Sequence, residues 1–312
     1  MPQRRRYSGI AHFPWGLPVD VRDLGLVVQV RIGGHPVDIT LPIVAGGARL
    51  EAPPDFRGRP LPAQLVQTFE GRWGWKSTTQ LCYVTAASAS VLLQPQAQMT
   101  DAPEFKALGD AYFGWFRIVQ EWASAWSGEP LADFDSSHQS AIHIAASDGY
   151  LTASPVLLRT VFIGASPLSR AQLKGAFARA SREDRLPVQH RLLLYARNAK
   201  LGGDTRQAVI DAATSAEVAL GVYVASRLKD KGLKPEFIDE MIKDVNGIMN
   251  LHALCTSLGG KPGPSQNRVG HELARVRNEA AHQGKTPSPE VAEIAIGHAE
   301  AIVRALHPLP AS

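Results

Sequence analysis

The hydrophobic pattern changes period near residue 166, and that change limits the possible folds more than any other feature of the chain. Before it, apolar residues alternate or gather in short β-branched runs, the period of strands. After it they recur every three to four residues, the period of helices. A chain of 312 residues with such a switch is expected to hold two domains. The expected fold class is α+β: a β-rich domain with one long helix over residues 1–165, and an all-α helical bundle over 166–312.

In the first half, Val27–Ile32 and Val37–Leu41 flank Gly33-Gly34, a hairpin signal. Cys82–Leu93 and Tyr150–Ile163 read as further strands, and Glu51–Asp55 and Arg57–Pro60 as turn and loop chemistry. A helix over about Phe105–Trp126 carries Leu108, Tyr112, Trp115, Val119, Trp122 and Trp126 at helical spacing, with Phe116 beside them. Such a stripe packs on a sheet in the ordinary case and stacks on bases in the alternative.

In the second half, Arg191–Ala199 is a short helix, and a longer one opens with Asp204 as N-cap and Gln207 three residues on, a capping-box pattern. Its apolar face runs from Val209 through Ala216 to Val224. One helix is expected from Pro235 through Met241 and Leu254 to Gly259-Gly260. A third carries Val269, Leu273, Val276 and Ala280 to Gly284, and a fourth runs from the Ser288 cap to Leu306. Short connectors between them imply a bundle.

Charge separates the halves too. Residues 1–166 carry 13 basic against 14 acidic side chains, and residues 167–312 carry 20 against 15. The basic surplus of the helical half is compatible with a phosphate-bearing partner or with a solvated surface. Cys82 and Cys255, far apart, read as reduced thiols. Met1–Arg6 is basic, but Tyr7–Asp20 contains His12, Pro14, Gly16 and Pro18, so no signal-peptide core follows. No uninterrupted apolar run long enough for a bilayer is read, so a soluble, cytoplasmic protein without a membrane partner is expected. Neither HExxH, GxSxG nor GxGxxG occurs, and His138 and His143 lack a third ligand, so no metal site and no cofactor is expected.

The stretch Leu273-Ala-Arg275-Val-Arg277-Asn278-Glu-Ala-Ala-His282-Gln-Gly284 sets an arginine, a polar neighbour and a histidine on one amphipathic helix. Two other Arg…His pairs have allowed spacing, but Arg185…His190 encloses Pro187 and Arg6…His12 lies in a polar terminus. Asn278 and His282, four apart, share a face, whereas Arg277 and His282 stand about 140° apart. This motif, with the acidic Glu217 amid small residues of the long upstream helix, resembles the HEPN domain superfamily over about residues 190–307. No family is recognised for residues 1–165.

The resemblance implies a dimeric, metal-independent endoribonuclease, paired through the helical bundle, with RNA as partner. His282 would be the general acid/base, Arg277 the phosphate clamp, and Asn278 a positioning or substrate contact. Arg275 is a substrate-binding arginine or simply an exposed one, and Glu217 supports the site through an ion pair with Arg277. Proteins of this layout are often bacterial toxins or phage-defence effectors, whose appended domain meets a trigger or inhibitor. The alternative is a non-catalytic HEPN module for dimerisation or partner docking, with an N-terminal domain that binds a protein or carbohydrate.

Overall fold

The computed structural model describes residues 5–44, 46–47, 49–53, 73–93, 103–128, 142–146, 149–150, 166–245 and 247–310. Arg57–Pro60, His138 and nearly all of Tyr150–Ile163 lie outside them. Strands prevail in the N-terminal part and helices in the C-terminal part, an α+β chain. It divides into two compact units, Met1–Arg185 and Leu186–Ala311.

The first unit contains β1 (Arg5–Asp20), β2 (Val27–Ile32), β3 (His35–Thr40), β4 (Ile43–Val44), β5 (Leu50–Glu51), β6 (Gly74–Lys76) and β7 (Leu81–Leu93). Helix α1 (Pro103–Ser127), strands β8 (Ile142–Ala146) and β9 (Gly149–Tyr150), and helix α2 (Arg170–Ser181) follow. Seven strands form one antiparallel sheet in the order β2-β3-β7-β1-β8-β9, with β6 also paired to β7. The division falls after α2, later than the change of period, because α2 packs on α1 and β2.

β1 is the main departure from the sequence reading, which assigned no strand to Tyr7–Asp20. It is a long inner strand, paired with β7 on one side and β8 on the other. A shift of register between His12 and Leu17 takes up Pro14 and Gly16, residues that otherwise interrupt a ladder. Ile10, Ala11, Phe13, Leu17 and Val19 are buried.

The β2–β3 turn has both Gly33 (φ 56°) and Gly34 (φ 82°) in the left-handed region, as a tight right-twisted hairpin requires. A Cβ on Gly33 would stand 2.8 Å from the Ala111 Cβ, so only glycine lets this turn sit against α1. The aromatic stripe of α1 serves the core. Tyr112, Trp115, Phe116 and Trp122 are buried, Phe13 and Phe116 stack with centroids 5.2 Å apart, and the Tyr112 hydroxyl donates to His12 O at 2.6 Å. Base stacking by these rings is thereby set aside.

The described elements of the second unit are all helical: α3 (Val188–Leu201), α4 (Thr205–Asp230), α5 (Pro235–Val245), α6 (Ile248–Ser257), α7 (Gln266–Arg268), a π-helical turn (Val269–Ala274), α8 (Arg275–Gln283) and α9 (Pro289–Leu306). The Asp204 carboxylate accepts from Gln207 N at 3.0 Å, but the Gln207 side chain turns to Asp211, so only half of a capping box forms. The single helix expected over Pro235–Leu254 is two, because Gly247 (φ 95°) takes a conformation that no right-handed helix accommodates. Ser288 caps α9, and Gly284 (φ 67°) ends α8.

By length and composition α4 could cross a membrane, which corrects the expectation that no segment could. Its Ala208, Val209, Ala212, Ala216, Leu220 and Val224 are buried in the core cluster with Leu251, Leu273, Ala295 and Ile302, so its apolar stripe serves packing within this unit. Cys82 and Cys255 are both buried free thiols, one in each unit, and burial pushes the Cys255 thiol up to about 11.

A buried histidine closes this core. His190 Nε2 lies 2.9 Å from His307 O, and His307 Nε2 lies 2.8 Å from Ala219 O, so the end of α9 is tied to α3 and α4. Burial holds the His190 pKa below its usual value against the opposing hydrogen bond. The unfolded chain therefore binds a proton more readily than the folded one as pH falls through about 6.5. The stability from neutral His190 is present above that pH and is lost on acidification toward the lower folded pKa. The second unit is expected to melt earlier at pH 5 than at pH 7.5, and His190→Gln to reduce that difference, as read by circular dichroism. A variant with an undiminished slope would assign the effect to other groups.

Candidate functional site

The motif sits on α8, whose orientation follows from its neighbours. The Thr205 hydroxyl donates to Pro287 O at 2.6 Å and Arg206 Nε donates to Ala280 O at 2.8 Å, while the Tyr223 ring lies beside Gly260. The start of α4 thus meets the end of α8, and the two run antiparallel. Leu273 and Ala280 face the core, leaving the opposite side of the helix to solvent.

On that outer side Arg275, Asn278 and His282 are all exposed. At 100° per residue they fall within about 60° of one another, spread along about 10 Å of the axis. Neither Arg275 nor His282 has a side-chain hydrogen bond or ion pair among the described contacts. Arg277 leaves the helix elsewhere and is half-buried, but its long side chain reaches round to donate to Asn278 Oδ1 at 3.1 Å. Arg277 is thereby joined to the exposed face through Asn278, which a wheel of Cβ positions does not reveal.

Glu217 makes no ion pair with Arg277, contrary to the sequence expectation. With α4 antiparallel to α8, Glu217 lies eleven residues beyond the Arg206–Ala280 contact. At 1.5 Å per residue that is about 16 Å along the bundle, near the π-helical turn. Glu279, the acidic residue of the motif, is engaged by Lys285 at 3.2 Å. Among the described ion pairs, then, Arg277 has no carboxylate partner.

The sequence reading missed Arg206. Its Nε bonds the carbonyl of Ala280, one of the last four of α8, which lack helical partners. This places a further cation at the same helix end as His282. No local signal marks it, since the contact joins residues 74 positions apart. His298 is largely buried and hydrogen-bonded to Glu272 on the π-helical turn, and this lowers the Glu272 pKa. No group of three or more His, Cys, Asp or Glu suited to a metal is found among the described residues.

Chemically, the face offers a solvent-facing imidazole, an amide, and arginines without carboxylate partners, at a helix end that a third arginine also approaches. Such a set can hold a phosphodiester and move a proton beside it. In comparisons with known proteins, no family model, no curated protein and no solved structure matches this chain.

Proposed function

We propose that the protein is an endoribonuclease of the HEPN type that cuts RNA without a metal ion and pairs through its helical unit. The observation that carries this reading is the exposed, unpartnered His282 beside Asn278 and the Asn278-linked Arg277 on α8. A histidine retained only for packing would be buried or satisfied, as His190 and His298 are.

RNA supplies the nucleophile. The 2′ oxygen attacks phosphorus and its proton passes to an imidazole. The bond from phosphorus to the 5′ oxygen breaks, and that oxygen is protonated by a second acid. Two copies of His282, one from each protomer, fill the two roles. Arg277 meets the charge that grows on the phosphoryl oxygens, for which a planar, permanently charged fork is suited. The products are a 2′,3′-cyclic phosphate and a 5′ hydroxyl.

The test is a digest of mixed cellular RNA by purified protein with EDTA present. Cyclic-phosphate ends and an inert 2′-deoxy substrate are expected. Cleavage that leaves 3′ hydroxyls, or that spares no DNA, would overturn the mechanism. RNA left intact at high protein concentration would favour the non-catalytic docking module.

A further inference from the structure

A second cationic site lies in the first unit, far from the motif in sequence. The β2–β3 turn, α1 and the C-terminal end of α2 enclose an open groove of about 620 Å³, within the range of small-molecule sites. Arg31, Arg117 and Arg185 line it, together with Phe113, Trp115 and Glu183. Arg185 is neutralised by the buried Glu121. Arg31 and Arg117 have no carboxylate partner among the described ion pairs; Arg31 makes only a 3.5 Å side-chain contact with Gly34 O. Two uncompensated guanidinium groups beside one cavity repel each other and favour an anion between them.

The walls are held in place. The Arg31 backbone N–H donates to Ser181 Oγ at 2.9 Å, the Trp122 indole to Asp184 O at 2.8 Å, and Arg179 to Asp184 Oδ2 at 2.7 Å. The end of α2 carries an outlier. Asp184 N bonds Arg179 O and Glu183 N bonds Ala180 O, a helix-ending motif that normally has glycine at its left-handed position. Here that position is Glu183 at φ 57°, the one non-glycine with positive φ among the described residues. Glu183 thus joins the groove wall from a left-handed position that glycine would occupy without strain. Phe113 is 38% exposed, and the buried indole N–H of Trp115 lacks an acceptor among the described residues.

We propose that this groove binds a free ribonucleoside monophosphate. Its phosphate, with a charge near −2, lies between Arg31 and Arg117. Its base covers the Phe113 ring, and Glu183 accepts from the ribose hydroxyls, the role a carboxylate takes in dinucleotide sites. The proposal stands independently of RNA cleavage by the second unit.

Isothermal titration of the full chain with the four ribonucleoside monophosphates tests it, with the 2′-deoxy forms, inorganic phosphate and a short RNA as comparison arms. At least one ribonucleotide is expected to bind saturably with Kd below about 1 mM. Arg31→Gln combined with Arg117→Gln should weaken it about tenfold or more. Both side chains are unpaired by carboxylates, so the double variant is expected to keep its fold by circular dichroism. Phe113→Ala should weaken the nucleotide and leave inorganic phosphate unchanged. Glu183→Gly, which suits the backbone, should fold at least as well and bind ribo and deoxy forms alike. The proposal is overturned by no binding at about 1 mM, by an unchanged double variant, by phosphate binding as tightly as the nucleotides, or by RNA alone binding.

Discussion

Replacing His282 by alanine is expected to lower the rate of RNA cleavage by about 10²–10⁴, the usual contribution of a positioned acid or base. The fold should hardly notice. His282 is exposed and makes no side-chain hydrogen bond or ion pair among the described contacts, so a surface change within about 0.5 kcal/mol is expected. Rate and stability can therefore be separated by measuring single-turnover cleavage and thermal unfolding on one preparation. Arg277→Ala should cost about 10²–10³, the scale of removing a donor to developing charge, and Arg277→Lys should recover little of it because lysine lacks the fork. Arg275 shares the face of His282 but has no tie to Asn278, so Arg275→Ala is expected to raise KM more than it lowers kcat. Equal loss of kcat from Arg275→Ala and Arg277→Ala would assign the clamp to both. Full activity in His282→Ala would remove the mechanism altogether.

Trp122→Ala should destabilise the first unit by about 3–5 kcal/mol, the range for emptying a buried indole site. Trp122 is 1% exposed, and Arg179 lies over its ring at 4.1 Å. Its N–H holds the carbonyl of Asp184, and its ring sits 5.1 Å from that of Trp126. Truncation opens a cavity, unstacks a cation and leaves a carbonyl without its donor, three penalties at one position. Trp122→Phe refills most of the volume and should lose about half as much. Urea unfolding followed by circular dichroism measures both. A loss under about 1 kcal/mol for Trp122→Ala would mean that this joint between α1 and α2 is not what holds the unit together.

Several helices of the second unit were readable because they carry their own punctuation. Asp204 and Ser288 open two of them, and Gly284 stands where the motif helix stops. Gly247 escaped notice because Val245 and Ile248 keep helical spacing across the break. β1 escaped for a different reason: Pro14, Gly16 and Pro18 erase alternation, and only the register shift against β7 shows how a strand tolerates them. At the site, Arg277, Asn278 and His282 were legible since one helix carries all three. Arg206 was not, nor was the displacement of Glu217, because both depend on the direction in which two helices pass. Arg31, Arg117 and Arg185 look like isolated basic residues until three segments of chain bring them to one groove.

The π-helical turn before the motif bears on how this helix can change over generations. Its closing bond joins Arg275 N to Gly270 O, so the turn accommodates one residue more than an α-turn. Val269 and Leu273 anchor the helix to the core within that turn, while the motif follows it. Because the wider turn already absorbs that extra residue, removing one residue there would restore ordinary winding and leave Asn278 and His282 close to their present phase, whereas a residue lost elsewhere in the helix would swing them by about 100° toward the seam that Ala280 now occupies. Val269–Ala274 is therefore the stretch of this helix where one position can be lost while the Arg…His pair keeps its outward face, a slack that the regular turns on either side do not have.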